Sequence, residues 1–126
     1  MTNVMVNADC GNSPKNIFVK DLAIAFARRD TNFILGSTTD DILWNRIGQK
    51  PVQGKSDFAR ALEQIKNDPV EELTIHHVVT HGKAGAVNGL LRSQDGKRRA
   101  FCEVYEFSNA KGSSVREITS YVLEIS

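Results

Sequence analysis

Arg99-Ala-Phe-Cys-Glu-Val-Tyr-Glu-Phe107 is apolar on both of the faces that a period-two reading separates. Arg99, Phe101, Glu103, Tyr105 and Phe107 share one side, and Ala100, Cys102, Val104 and Glu106 share the other. A strand apolar on both sides is a central strand with something packed over each face. A carboxylate in the middle of such a face has to be ion-paired, hydrogen-bonded or protonated, so Glu103 is the residue to explain.

Working outward, everything after Glu72 reads as antiparallel sheet: Leu73 to His81, Ala86 to Arg92, Lys97 to Phe107 and Val115 to Ile125, separated by glycine-bearing turns. Upstream the pattern changes. Ser13-Pro14 is an N-cap followed by proline, and Phe18, Leu22, Ala25 and Phe26 follow at helical spacing, which predicts a helix over Pro14 to Arg28. Asp30 can cap a short helix over Thr31 to Leu35, stopped by Gly36. Asp41 to Ile47 alternates as a strand, Val52-Gln53 is a brief return, and Ser56 caps a helix that Asp68-Pro69 ends. Helices first and a long meander last give the α+β class, as a single domain over residues 13–126 with residues 1–12 as a flexible tail.

Composition narrows the function classes. The formal charge is +1 and the basic clusters Arg28-Arg29 and Lys97-Arg98-Arg99 are short, so no broad positive surface for nucleic acid is expected. No stretch reads as a membrane span or secretory signal, which leads to the expectation of a cytoplasmic protein. In a reducing cytosol Cys10 and Cys102 read as free thiols.

Turn counting predicts the register. If Asp95-Gly96 is a two-residue turn, Leu90 lies opposite Phe101, Asn88 opposite Glu103 and Ala86 opposite Tyr105. If Lys83-Ala84 is the preceding tip, Val79 lies opposite Asn88. One face then carries His77, Val79, His81, Asn88, Leu90, Phe101, Glu103 and Tyr105: apolar lining with a few converging polar groups, as in a small-molecule pocket. The same count sets Arg92 against Arg99 near a wet hairpin end, and a slip there would send Asn88 to the other face.

No metal site is expected. His76 and His77 point to opposite faces, and His77 and His81 lie about 13 Å apart at roughly 3.3 Å per residue. No glycine-rich phosphate loop and no nucleophile elbow occurs, and no cofactor is expected. For Glu103 two readings stand: a pair with Arg99, Arg46 or His77 in a satisfied polar network, or a desolvated carboxyl whose raised pKa lets it donate a proton to a ligand. Trp44 reads as a core or interface aromatic before it reads as a ligand platform.

The order helix, short helix, strand, Gly-x-x-Pro-x-x-Gly turn, helix and meander resembles the nuclear transport factor 2-like superfamily, in particular SnoaL-like proteins and ketosteroid isomerases. The resemblance spans Ser13 to Ile125 and is carried by Asp40-Asp-Ile-Leu-Trp-Asn-Arg-Ile-Gly-Gln-Lys-Pro-Val-Gln-Gly-Lys55, Cys102-Glu-Val-Tyr-Glu-Phe107 and Ile118-Thr-Ser-Tyr-Val122. It is nearest in look to bacterial SnoaL-like proteins without an assigned reaction. It implies a sheet curled into a cone around the N-terminal helices, an apolar pocket on the concave side and a homodimer through the convex side. It also implies that Glu103 matches the protonated carboxyl of the isomerases' oxyanion hole, that Asn45 stands where they have an aspartate base, and that Leu22 stands where they have a tyrosine. Ser120 matches a pocket position. An amide cannot take a proton at neutral pH and a leucine cannot donate one, so ketosteroid isomerase activity is expected to be absent.

The expectation is a protein that binds a small hydrophobic or amphipathic molecule in a pocket formed by Asn45, His77, Asn88, Phe101, Glu103, Tyr105 and Ser120. Glu103 is the best catalytic candidate if a reaction occurs. The alternative is a dimeric interaction module whose cavity is filled by its own side chains.

Overall fold

A computed structural model of the chain describes residues 2–125. The helix at the N-terminal side is built by its caps. Ser13 accepts a hydrogen bond on its hydroxyl from the Asn16 N–H at 3.2 Å, and Pro14 occupies the first turn of α1 (Pro14–Arg28). The helix ends at Arg29 in the left-handed region (φ 58°), whose N–H reaches back to the Ala25 and Phe26 carbonyls. Val19, Leu22, Ala23, Ala25 and Ala27 are its buried face. Asp30 caps the short α2 (Thr31–Gly36). In α3 (Lys55–Ile65), the N-cap is Gly54 at φ 88°, and the expected cap Ser56 lies inside the helix. Only a glycine takes that φ freely, and its carbonyl accepts from the Phe58 N–H at 2.9 Å.

The strands are β1 (Asn3–Val6), β2 (Thr38–Arg46), β3 (Val52–Gln53), β4 (Val70–His81), β5 (Ala84–Ser93), β6 (Arg98–Phe107) and β7 (Val115–Ile125). They form one mixed sheet in the order β1-β4-β5-β6-β7-β2-β3, with β1/β4 and β2/β7 parallel and the other pairs antiparallel. Helices α1 and α3 lie in the concave side of this curled sheet. Phe26 meets Trp44 at 5.7 Å between ring centroids, Trp44 meets Phe58 edge-on at 5.5 Å, and Thr80 Oγ1 donates to Asn16 Oδ1 at 2.6 Å, tying β4 to α1.

The tail expected over residues 1–12 is partly folded. Asn3–Val6 adds a parallel edge strand to Glu72–Ile75, and Thr2 Oγ1 donates to the Val70 carbonyl at 2.7 Å. Its apolar run, Val4-Met5-Val6, is too short to read as a strand without the β4 edge beside it.

The register differs from the turn count. Ser93 N–H bonds the Lys97 carbonyl and Lys97 N–H bonds Asp95 Oδ1, so the β5–β6 loop is the three residues 94–96, closed by Gly96 at φ 88°. One added loop residue shifts the ladder by one: Val87, not Asn88, lies opposite Glu103, and Asn88 lies opposite Cys102. The like-charged pair at the hairpin end is Arg92 with Arg98. The β4–β5 tip is Gly82-Lys83, with Gly82 at φ 57°. A bulge between Ile75 and His77 then inverts the parity of β4, so that Leu73 and Ile75 are buried before it and Val78 after it, while His77, Val79 and His81 are exposed.

Candidate functional site

Three neighbouring strands bring Trp44, Ser120 and Glu103 together on the concave face. Glu103 of β6 pairs with Ser120 of β7, and Arg46 of β2 pairs with Ser120 from the other side, which sets Trp44 one rung away. The Trp44 Nε1–H donates to Ser120 Oγ at 2.8 Å, and the Ser120 hydroxyl donates in turn to Glu103 Oε2. This chain of donors satisfies the indole N–H and the hydroxyl and leaves Glu103 Oε1 as the atom available to a ligand.

Glu103 forms part of the wall of a cavity of about 420 Å³ between the sheet and α1. Phe26, Trp44, Leu73, Leu91 and Phe101 supply much of its apolar wall, and Ile47, Gln49, Asp68 and Val122 stand exposed at its mouth. Glu103 is partly exposed as a residue and lines this cavity, while its carboxyl is enclosed by protein. Burial pushes its pKa from the ordinary 4.5 to about 7, with the Ser120 hydrogen bond pulling the other way. Neither Arg99, Arg46 nor His77 is ion-paired with it among the described residues. A carboxyl in this state can donate a hydrogen bond or a proton near neutrality, and an ordinary surface glutamate cannot.

Below Glu103 on the same face, Tyr105 is fully buried and its hydroxyl has no partner. Burial, then the Glu103 and Cys102 charges, push the phenol well above its usual range. Cys102, on the opposite face, is likewise raised by burial and by the Glu103 charge, so its thiol is held protonated.

Three arginines also line the cavity: Arg29, Arg46 and Arg99. Arg29 Nη1 and Nη2 donate to the Phe26 and Asp68 carbonyls at 2.7 and 2.6 Å, Arg99 Nη1 donates to Ser93 Oγ at 2.6 Å, and Arg46 Nη2 donates to the Lys50 carbonyl at 3.2 Å. The Arg46 guanidinium carbon lies 5.1 Å from the centre of the Trp44 ring.

No family model matches the sequence and no curated protein matches it. Solved structures do match. One is an NTF2-like protein of unknown function from Cytophaga hutchinsonii, 24% identical, with a TM-score of 0.67 over 86% of this chain and 99% of that one. Another is an LEH-like epoxide hydrolase from M. tuberculosis, 17% identical, with a TM-score of 0.71 over 90% of this chain and 86% of that one. A third is a candidate ketosteroid isomerase from Kribbella flavida, 17% identical, with a TM-score of 0.72 over 89% of this chain and 79% of that one.

The fold is NTF2-like.

Within this NTF2-like cone the expected pocket residues divide by face. Phe101, Glu103 and Ser120 line the cavity. Tyr105 lies on the same face, in the core. Asn88 and His77 are on the convex face, where His77 Nδ1–H donates to Asn88 Oδ1 at 3.0 Å; the one-residue slip and the β4 bulge together put them there. Asn45 pairs with Thr119, which pairs with the outward-facing Val104, so Asn45 also belongs to the convex face. Leu22 is fully buried in the core and does not line the cavity. The arginines were legible by parity, since Arg99 shares the face of Phe101 and Glu103, and Arg46 the face of Trp44. From the sequence, Arg46 and Arg99 enter the site only as partners for Glu103, and Arg29 reads only as half of a short basic cluster.

Proposed function

We propose that the protein binds a small hydrophobic or amphipathic molecule in the concave cavity and presents the Glu103 carboxyl to a polar atom of it. The observation that supports this reading is the Trp44–Ser120–Glu103 chain of hydrogen bonds, which ends in an apolar cavity with Oε1 unpartnered. Two of its three members are polar groups placed on adjacent strands of a largely apolar face, an arrangement that packing alone does not call for. Isomerisation of ketosteroids is not part of the reading, because no carboxylate stands at Asn45 and that residue faces away from the cavity.

The test is a thermal-shift panel of aromatic and aliphatic ketones, alcohols, amides and acids, followed by calorimetry on each hit. Binding at one site, with affinity for the ketones, alcohols and amides reduced about tenfold by Glu103→Leu, which can neither donate nor accept, is the expected result. A panel in which nothing binds, with a cavity that stays empty in a crystal of purified protein, would overturn it.

A second reading concerns the other side of the sheet. Val79, Val104, Tyr121 and Leu123 are exposed on neighbouring strands of the convex face. We propose that this face joins two copies of the chain, as an exposed apolar patch of this kind commonly marks an interface.

A further inference from the structure

The cavity contains an electrostatic imbalance that an apolar-ligand site does not need. Arg29, Arg46 and Arg99 are half-buried between its exposed mouth and its buried floor. Of the arginines outside the cavity, Arg60, Arg92 and Arg116 pair with carboxylates (Asp57, Glu71 and Glu72, and Glu106), while Arg28 and Arg98 are exposed to solvent and need no partner. Among the described residues no carboxylate is ion-paired with any of the three in the cavity. The acids at hand do not fill that role. Asp68 is at the mouth, Glu124 lies across the ladder from Arg99, and Glu103 bonds to Ser120. Asp68 at the mouth, together with Glu103 when it ionises, against three guanidinium groups still leaves the cavity net positive.

Each guanidinium has five N–H donors, and neutral oxygens take only a few of them here: two carbonyls on Arg29, one on Arg46 and one hydroxyl on Arg99. The Nε of Arg29 and of Arg46 is buried with no partner at all. Burial holds the Arg29 pKa below its ordinary value, with the Asp68 charge raising it and the Arg99 charge lowering it, so the two cations are near enough to repel each other. Arg29 is moreover the one non-glycine among the described residues at positive φ, a conformation that costs of order 1–3 kcal/mol and is held here by its carbonyl bonds. Buried unpaired charge is costly, and an arriving anion removes the cost.

We infer that the natural ligand is a hydrophobic molecule with an oxyanion head, a carboxylate or its close equivalent, whose head is held by Arg29, Arg46 and Arg99 and whose body lies against Phe26, Trp44 and Phe101. This rests on the concave cavity being a small-molecule site. A bare inorganic anion would satisfy the guanidinium groups and leave most of the 420 Å³ of apolar-walled space unfilled. A neutral hydrophobe would fill the space and leave the charges unpaired.

The experiment compares molecules that share a body and differ in the head: decanoate against decanamide and decanol, 2-naphthoate against 2-naphthamide, and inorganic phosphate alone, each titrated calorimetrically at low and at raised salt. The acids are expected to bind about 10–100-fold more tightly than their amides, an advantage that shrinks with salt. Arg99→Gln and Arg46→Gln should each remove most of that advantage, lowering the affinity for the acids far more than the affinity for the amides. Arg29→Gln should likewise lower the affinity for the acids more than that for the amides. Acids and amides binding equally would overturn the inference and leave the cavity's role as a ligand site intact. Phosphate binding as tightly as the acids would overturn it in favour of a simple anion site. Binding of nothing would overturn both readings. The acid–amide contrast needs no variant, so a failure of any substitution to fold does not affect it.

Discussion

At the scale of the residue, Glu103 carries a stability signature whose sign is fixed by linkage. Its folded pKa is raised from 4.5 to about 7 by burial. The folded protein therefore holds the proton more tightly than the unfolded chain. The stabilisation this provides is fully present below about pH 4.5 and is lost as pH rises through about 7. Glu103→Gln keeps an oxygen for the Ser120 hydroxyl and removes the ionisation. It is expected to stabilise the protein by about 1–3 kcal/mol at pH 8 and by little at pH 4, read from denaturant unfolding at the two pH values. A variant less stable than the wild type at pH 8 would mean that the carboxylate is ion-paired after all. Sequence parity was enough to place Glu103 among Phe101 and Tyr105. It could not supply the partner, because Ser120 comes from a strand whose register is set by a bulge between Glu106 and Phe107. Nor did it reveal that Arg46 and Arg99 face an unpaired cavity, since counting charges along a chain does not show which of them meet.

At the scale of the element, the helices and strands follow from local rules and the pairing does not. The bounds of α1 fall where Ser13-Pro14 and Arg28 place them, and β7 spans the residues that alternation predicts. The two hairpins shifted because loop length depends on which glycine takes the positive φ, and a count from composition cannot distinguish Asp95-Gly96 as a two-residue tip from residues 94–96 as a three-residue loop. The bulge in β4 is a tertiary device: it turns His77 outward and keeps Val78 in the core, and nothing in the alternation of residues 73–81 announces it. Gly89 is the feature that accompanies it. A methyl group there would collide with the Thr74 carbonyl oxygen and lie 2.9 Å from its carbon and 3.1 Å from the Ile75 Cα, all of them backbone atoms of β4 that cannot swing aside. Gly89→Ala is therefore expected to destabilise the protein by about 2–3 kcal/mol or more, against about 0.5–1 kcal/mol for Ala86→Gly three residues along on the outer face. Equal effects of the two substitutions in urea unfolding would show that the β4–β5 ladder yields there.

At the scale of the whole molecule, the curled sheet has two unlike sides. Its concave side is occupied by helices and by the cavity. Among the described residues no helix covers its convex side, and Val79, Val104, Tyr121 and Leu123 are 60%, 39%, 48% and 69% exposed. These residues are neighbours across the ladder. Val79, Ala86 and Val104 form one row, Leu90, Ala100 and Leu123 another, and the bonded pair His77–Asn88 runs with Cys102 and Tyr121 between them. The hydrogen bond between His77 and Asn88 matters here, because it leaves fewer polar groups to be desolvated if the face is covered. A two-fold axis through such a patch would set the same rows against each other, and a stable interface of standard size covers about 800 Å² on each partner. The protein is accordingly expected to be a homodimer at micromolar concentration by multi-angle light scattering, and Tyr121→Lys with Leu123→Glu should give a folded monomer with an unchanged circular dichroism spectrum. The cavity lies on the other side of the sheet, so the monomeric variant should keep its affinity for any ligand bound there. A wild-type protein that elutes as a monomer at that concentration would reject the dimer and leave the concave site untouched.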